Sequence, residues 1–226
     1  MSVAIIYDLE AVRDPDIAYT PKSPDEFLPL AAFQIVSAAW IRLETIGREL
    51  VSLTLRQEYD ERAFLEAFAS QWHRFEGEAQ LVGWGIRIFD TPLVMLRGMK
   101  HGISFPGHYK HPKGTRNRYG GRSLDLCDQL SDYGAARPFG MTLAAQLVGF
   151  PGKTDVTGSD VQALWDAGER ERVGAYNCED VVNECAIFAG YKHLVGDWGT
   201  ELKDAVLGEL RALIGTDERL RGLRAS

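Results

Sequence analysis

Acidic residues from three distant parts of the chain could together bind a divalent cation. Asp8 and Glu10 follow an apolar run near the start of the chain, and Asp90 closes a second apolar run. Asp180 lies four residues after Tyr176 in a helical pattern, so these two side chains share a helix face. Carboxylate oxygens are the ligands that Mg²⁺ and Mn²⁺ prefer, and a bound cation makes a water molecule more acidic. The residue types therefore predict a metal centre that activates water.

The first two acids, Asp8 and Glu10, repel each other and cost free energy unless a cation lies between them. Residues 3–10 form a short, largely apolar run typical of a buried strand, and residues two apart on a strand point to the same face. Two carboxylates about 4 Å apart repel by ~1 kcal/mol in water and by ~4 kcal/mol at an effective dielectric constant of about 20. A divalent cation reverses the sign of this interaction. An Asp-x-Glu sequence arises by chance about once in 300 positions, so the pair alone is weak evidence of a site. Its position at the end of a core strand, where sites in α/β proteins usually lie, makes a functional role more credible.

Neighbouring acids have simpler interpretations. Asp90, taken alone, is typical of a residue that caps a helix, because a Thr-Pro pair follows it. Asp125 is interpreted as a turn or cap residue rather than a further ligand. Glu179 and Glu184 are expected on the solvated side of the helix that contains Asp180.

The order of predicted elements indicates an α/β fold with a mixed central sheet flanked by helices. Apolar runs and alternation predict strands at residues 3–10, 31–43, 49–55 and 80–88. Helical patterns follow Asp60 and Thr91, and recur at residues 142–148, 159–167, 171–195 and 202–214. Residues 102–122 are expected to form a long loop or a hairpin, and the charged tail from Thr216 is expected to fray. A chain of 226 residues suits one domain, which we place at residues 1–226.

Positive charge is concentrated in one part of an acidic chain. The formal net charge is −7, yet residues 91–124 contain seven Lys and Arg side chains and no acid. These cations are Arg97, Lys100, Lys110, Lys113, Arg116, Arg118 and Arg122. Cations interleaved with aromatic side chains are typical of surfaces that hold phosphates and stack bases, so we expect Arg116 and Arg118 to contact such a ligand. A solvated loop is the alternative.

Several other classes of protein are not indicated. No run approaches the ~18 apolar residues of a membrane helix, and a cytoplasmic protein is therefore expected. The three cysteines (Cys127, Cys178 and Cys185) show no CxxC spacing and are expected to be small buried side chains. The segment 149–154 lacks the glycine spacing of a phosphate-binding loop, and the histidines lack metalloprotease spacing.

Taken together, the motifs resemble the DEDD family of 3'→5' exonucleases, on the ribonuclease-H-like fold. The resemblance is greatest to the stand-alone group related to the proofreading domain of family-B DNA polymerases. Asp8-Leu9-Glu10 is similar to the first exonuclease motif, Phe89-Asp90 to the end of the second, and Tyr176-x-x-x-Asp180 to the tyrosine form of the third. The resemblance covers roughly residues 3–196 and leaves a C-terminal helix and tail at 197–226. One departure is Gly85, where the group commonly carries Asn.

The resemblance implies a role for each acid. Two Mg²⁺ or Mn²⁺ ions are implied in the site, with Asp8 bridging both. Glu10 and Asp180 would hold the ion that activates water, and Asp90 would support the other ion. Tyr176 would position the attacking water through its hydroxyl group.

The resemblance also implies a substrate. The 3' end of a single strand would pass over Leu9 and Phe89, which could stack against the terminal base. The expected function is metal-dependent 3'→5' hydrolysis of single-stranded DNA, releasing nucleoside 5'-monophosphates. An exoribonuclease of the same superfamily and a non-catalytic nucleic-acid-binding module remain alternatives, and a separate polymerase or repair protein is a possible partner.

Overall fold

The computed structural model describes residues 1–23, 26–74, 79–110, 115–152 and 156–224, and it describes only the backbone of 71–74. Lys113 of the basic interval, and Lys153 of the glycine-containing segment, therefore lie outside the described residues. Among the residues described, no helix is both long and apolar enough to cross a membrane.

Within the described ranges, five strands form one sheet, and helices follow or interrupt them along the chain. The strands are β1 (Ser2–Arg13), β2 (Phe33–Ile46), β3 (Glu49–Glu58), β4 (Ala79–Gly83) and β5 (Ser123–Asp125). The helices are α1 (Glu61–Arg74), α2 (Asp90–His101), α3 (Pro106–Tyr109), α4 (Leu126–Leu130), α5 (Met141–Leu147), α6 (Val161–Asp166), α7 (Arg170–Leu194), α8 (Thr200–Thr216) and α9 (Arg221–Arg224). The α/β prediction is therefore confirmed.

The strand order β3-β2-β1-β4-β5 places β1 at the centre of a mixed sheet. β2 is antiparallel to β1 and β3, whereas β4 is parallel to both β1 and β5. The carboxyl ends of the three parallel strands consequently meet at one edge. The pairing of β1 with β2 shifts register between Glu10 and Ala11, and such bulges redirect side chains at the ends of strands.

Alternation along β1 divides the core into two layers. Ile6 packs in the layer that contains buried side chains of α7 and α8, and Ile5, Tyr7 and Leu9 pack in the layer that contains those of α1 and α2. Because the strand period is two residues, Asp8 points to the same side as Ile6 and therefore towards α7. The helix predicted to carry the third acidic motif thus lies on the face to which Asp8 points.

Two predicted boundaries are wrong. β4 ends at Gly83, not at residue 88, because the chain turns there and Gly85 adopts a φ of 73°. The tail does not fray after Thr216, since Leu220 and Leu223 are 0% and 5% exposed and pack in the same core layer as α7. The amide of Gly222 also donates a hydrogen bond of 3.0 Å to Glu179 Oε1.

A buried ionic network fixes the position of α2. Arg97, which is 3% exposed, donates to Asp14 Oδ2 at 2.6 Å and forms two bonds of 2.6 and 2.7 Å to the Glu61 carboxylate. Lys100 Nζ donates to the same oxygen of Asp14 at 2.6 Å. Burial raises the pKa of Asp14, but the hydrogen bonds from Lys100 and Arg97 outweigh it and lower the pKa from 3.8 to about 2.

This network predicts a dependence of stability on pH. Because the pKa of Asp14 is lower in the folded than in the unfolded chain, its contribution is complete above about pH 4 and is lost as the pH falls towards about 2. We expect Asp14→Asn to lower the free energy of unfolding by about 3–5 kcal/mol at neutral pH, because Arg97 loses a buried partner. Denaturant unfolding between about pH 4 and pH 2 should show a shallower decline for this variant than for the wild type. The control is Asp16→Asn, an exposed partner of Lys100, which should retain the wild-type decline.

Candidate metal centre

Three carboxylates from two distant elements converge at the edge of the sheet. Asp8 and Glu10 on β1 and Asp180 on α7 bring ligand atoms within 4.8 Å of one another. Asp8 is partly exposed, whereas Glu10 and Asp180 are 7% and 3% exposed. An all-oxygen set of this kind fits Mg²⁺ or Mn²⁺, and it is unfavourable without a cation because the charges repel.

Asp90 joins this edge from the start of α2. Its Oδ1 accepts a hydrogen bond of 3.1 Å from the backbone amide of Leu9, the residue between Asp8 and Glu10. Burial raises the pKa of Asp90, the bond from Leu9 opposes that rise, and the charges of Asp125 and Asp180 add to it, which brings the pKa to about 7. The Asp90 side chain therefore binds the backbone of β1 beside the three converging acids.

Tyr176 lies beside the same acids on α7. Its side chain is 3% exposed, and its pKa is raised above the usual value by burial and then by the charges of Asp180, Glu10 and Asp8. The phenol is consequently a hydroxyl donor at neutral pH, not a phenolate.

The sequence interpretation missed a group that orients the first ligand. Asn177 is fully buried, and its Nδ2 donates to Asp8 Oδ2 at 2.7 Å while its Oδ1 accepts from Ser37 Oγ at 2.9 Å. The amide therefore holds one oxygen of Asp8 in place. The sequence gives only a weak signal for this role. Asn177 directly follows Tyr176, but a polar residue in a helix is rarely informative alone.

Asp125 acts as a cap, as the sequence interpretation preferred. Its carboxylate accepts bonds from the amides of Cys127 and Asp128 at the start of α4, and from the amides of Gly85 and Arg87 after β4. Gly85 has a φ of 73°, in the left-handed region that Gly adopts freely and Asn tolerates better than most residues. This backbone requirement explains why Gly can stand where the resembling group commonly carries Asn.

The prediction that Glu179 and Glu184 face solvent is wrong. They are 5% and 1% exposed, because α7 is covered by the sheet on one side and by the C-terminal segment on another. Glu184 Oε1 accepts a bond of 2.9 Å from the amide of Trp84, just after β4. Helical periodicity could not reveal this, since α7 is buried around much of its circumference.

The basic interval is less available to a ligand than its sequence indicates. Arg97 and Arg122 are 3% and 8% exposed, and Lys100 pairs with Asp14 and Asp16. Arg118 forms bonds of 2.9 and 2.6 Å to the carboxylate of Asp128. Much of the local positive charge is thus buried or paired with acids of the same protein.

Arg116 is exposed and forms no ion pair within the residues described. With Arg87 it lines a cavity of about 660 Å³ between α2 and the segment after it, whose other walls include Met95, Phe105 and His108. None of the converging acids lines this cavity. The cavity and the converging acids are therefore separate features.

The two apolar residues predicted to contact a base have different environments. Leu9 is 4% exposed and packs in the core layer beside α1 and α2. Phe89 is partly exposed and forms edge contacts with the rings of Phe27 and Phe33, at 6.1 and 5.8 Å between centroids. Phe27 is 72% exposed, so the aromatic group reaches the surface through Phe27 and Phe89.

The converging acids form a candidate metal centre, and comparison identifies the family. A family model described as "Predicted 3'-5' exonuclease related to the exonuclease domain of PolB" matches residues 25–223. The chain therefore belongs to this family of 3'-5' exonucleases, which confirms the resemblance found in the sequence. The matched range contains Asp90, Tyr176 and Asp180. Asp8 and Glu10 precede it, so their place in the site rests on the structure.

Other comparisons give distant similarity. No curated protein sequence matches the chain. A solved structure described as "The structure of exonuclease I suggests how processivity is achieved" is similar over 94% of this chain and 46% of that chain, with 15% identity and a TM-score of 0.43. The chain thus spans less than half the length of that protein.

The capping role of Asp125 can be separated from metal binding. Asp125→Ala removes an acceptor of four backbone amides, so we expect a loss of about 2–3 kcal/mol in the free energy of unfolding. Mn²⁺ affinity, measured by calorimetry at a temperature where the variant is folded, should change less than about threefold. A loss of Mn²⁺ binding in the folded variant would show instead that Asp125 is a ligand.

Proposed function

We propose that the protein is a 3'→5' exonuclease that uses two divalent cations to remove nucleoside 5'-monophosphates from single-stranded ends, with DNA as the favoured substrate. The observation that carries this proposal is the convergence of Asp8, Glu10 and Asp180 within 4.8 Å, in a chain whose family is that of 3'-5' exonucleases. A protein that merely bound nucleic acid would gain nothing from clustered negative charge facing phosphates.

The chain's own acids would hold the cations. Asp8 would contact both ions, Glu10 and Asp180 the first ion, and Asp90 the second, either directly or through water. When bound, Mg²⁺ or Mn²⁺ lowers the pKa of water and stabilises the charge that develops on the attacking and leaving oxygens.

Other protein groups would orient the acids, the attacking water and the strand. Asn177 fixes one oxygen of Asp8, and the amide of Leu9 fixes one oxygen of Asp90, so these carboxylates are oriented before a ligand enters. The Tyr176 hydroxyl retains its proton, because its pKa is raised by burial and by the neighbouring carboxylates. It would orient the attacking water by a hydrogen bond. Phe89, together with Phe27, would stack against the bases near the 3' end.

Single substitutions test the roles of the acids and of the tyrosine. We expect Asp8→Ala and Asp180→Ala each to lower cleavage by at least about 10³-fold, since each removes several kcal/mol of charge stabilisation. Tyr176→Phe should slow cleavage by about 10- to 100-fold while Mn²⁺ binding is kept, because the ring still fills its site. The assay is a 5'-labelled single strand with Mn²⁺, with and without EDTA, read as a ladder of single-nucleotide steps.

The matched control for these variants is Asp204→Asn, an exposed acid on α8 that pairs with Lys203 and should retain wild-type activity. Matched DNA and RNA strands in the same assay distinguish a deoxyribonuclease from an exoribonuclease. Full activity in Asp8→Ala would contradict the proposed function, and binding without any cleavage by the wild type would support a non-catalytic module.

The salt dependence of binding tests the basic interval. Arg116 has no acidic partner among the described side chains, whereas Arg118 must leave Asp128 to reach a phosphate. We expect Arg116→Gln to weaken binding of a single strand and to reduce the slope of log K against log[salt] by about 0.7, the loss of one phosphate contact. Arg118→Gln should have the smaller effect. Fluorescence anisotropy in Ca²⁺ across a salt series measures both, and unchanged slopes in both variants would refute contact through this surface.

A further inference from the structure

A fifth carboxylate lies next to the acidic edge. Glu184 is one helical turn after Asp180 on α7 and shares its face. Its Oε1 accepts the bond from the Trp84 amide, but its Oε2 is buried and has no hydrogen-bond partner among the described residues. Burial of a carboxylate oxygen with no partner costs several kcal/mol, so a native structure that retains one requires an explanation.

The backbone around Glu184 shows where this oxygen lies. A Cβ placed on Gly83, the last residue of β4, would come within 3.4 Å of Glu184 Oε2 and within 2.8 Å of the carbonyl oxygen of Tyr7. The free oxygen is therefore where the pairing of β1 with β4 ends, beside Tyr7, the residue before Asp8. A Cβ on Gly83 would clash with Ile86 Cγ2 and, at 2.8 Å, with the Tyr7 carbonyl, so glycine is required for this close approach of the two strands, and Glu184 Oε2 lies at van der Waals distance from it.

The electrostatics point to the same place. The pKa of Glu184 is raised well above its usual value, first by burial, then by the charges of Asp8 and Asp90, and to a smaller extent by Asp180. Glu184 thus bonds the chain just after β4, in the segment that leads to Asp90, and lies within the field of Asp8 and Asp90.

We propose that Glu184 is a further carboxylate of the metal centre, and that its free oxygen holds the cation supported by Asp90 through one water molecule. We place a water between Glu184 and the cation because Glu184, like Asp90, is not among the described acids whose ligand atoms lie within 4.8 Å of one another. Occupation of this position supplies the missing partner of Oε2 and lessens the repulsion that Glu184 has with Asp8 and Asp90. The inference rests on the proposed function, since it assigns Glu184 to the same centre.

The test measures cation binding directly, in the absence of nucleic acid. Glu184→Gln keeps the shape of the side chain and the acceptor for the Trp84 amide. Glu179→Gln is the control, because Glu179 is also a buried glutamate of α7 but accepts from Gly222 on the opposite, C-terminal segment. Mn²⁺ binding is followed by isothermal calorimetry and by electron paramagnetic resonance of the free ion.

We expect the wild type and Glu179→Gln to bind two Mn²⁺ ions with the same affinities. Glu184→Gln should bind one ion with an affinity within about threefold of the wild type and the other at least about tenfold more weakly, which is a change of about 1.4 kcal/mol. The rise in melting temperature on addition of Mn²⁺ should be correspondingly smaller in Glu184→Gln. Glu184→Asp, which keeps the charge on a shorter side chain, should weaken the same ion, and it replaces the Gln variant if that variant does not fold.

Two results would overturn this inference. Unchanged affinities for both ions would make Glu184 a structural acid, and equal weakening of both would show a general effect of charge rather than a role at one ion.

Failure of the proposed exonuclease function gives a different set of results. A wild type that binds no Mn²⁺ overturns both proposals, whereas a wild type that binds two ions, one of them dependent on Glu184, and cleaves no single strand refutes the exonuclease proposal and leaves Glu184 in the metal centre.

Discussion

Repulsion among carboxylates at one edge of the sheet is the constraint on which this structure depends. Asp8 and Glu10 lie on the central strand, and Asp180 on the long helix that covers it, within 4.8 Å of one another. At such distances, in a site largely removed from water, each pair of negative charges costs a few kcal/mol, about 4 at an effective dielectric constant of about 20. A fold that gathers them at its centre is stable because other interactions outweigh this cost, and it is ready for a divalent cation for the same reason.

The surrounding groups fix the acids without neutralising them. Asn177 and the amide of Leu9 each donate to one oxygen of a carboxylate, and neither carries a full positive charge. A lysine or arginine in these positions would satisfy the acids and compete with a cation. Neutral donors lower the cost of burial moderately and leave most of the negative field at this edge, which is the field that a bound divalent cation would need.

Positively charged side chains stabilise the fold away from this acidic edge. The Arg97 network joins α2 to the loop after β1 and to the start of α1, and the residue at the beginning of α2 is Asp90. Arg97, one of the seven cations of the basic interval, therefore holds α2, at whose start Asp90 lies. Arg116 is exposed and can meet a polyanion, so some cations of the interval stabilise the fold and others lie at the surface.

Much of this protein follows from its sequence because the signals are local. The short apolar run of β1, the helical pattern of α1 and the four-residue spacing of Tyr176 and Asp180 predicted the first strand, the helices and the shared face of the third motif. The order of the three motifs then indicated the family. Each of these depends on residues that are near one another along the chain, where backbone periodicity fixes which side chains share a face.

What the tertiary structure decided is which of the polar side chains are buried. Glu184 and Asn177 are ordinary residues of a helix until the sheet and the C-terminal segment cover α7, and Arg97 is an ordinary basic residue until Asp14 and Glu61 meet it from distant segments. The end of β4 was likewise set by Asp125, forty residues beyond Gly85, whose carboxylate takes the amides that a longer strand would have used. These outcomes all depend on packing between remote parts of the chain: which side chains are buried, which ions pair, and which acceptor takes a backbone amide. Periodicity in the sequence does not show that packing.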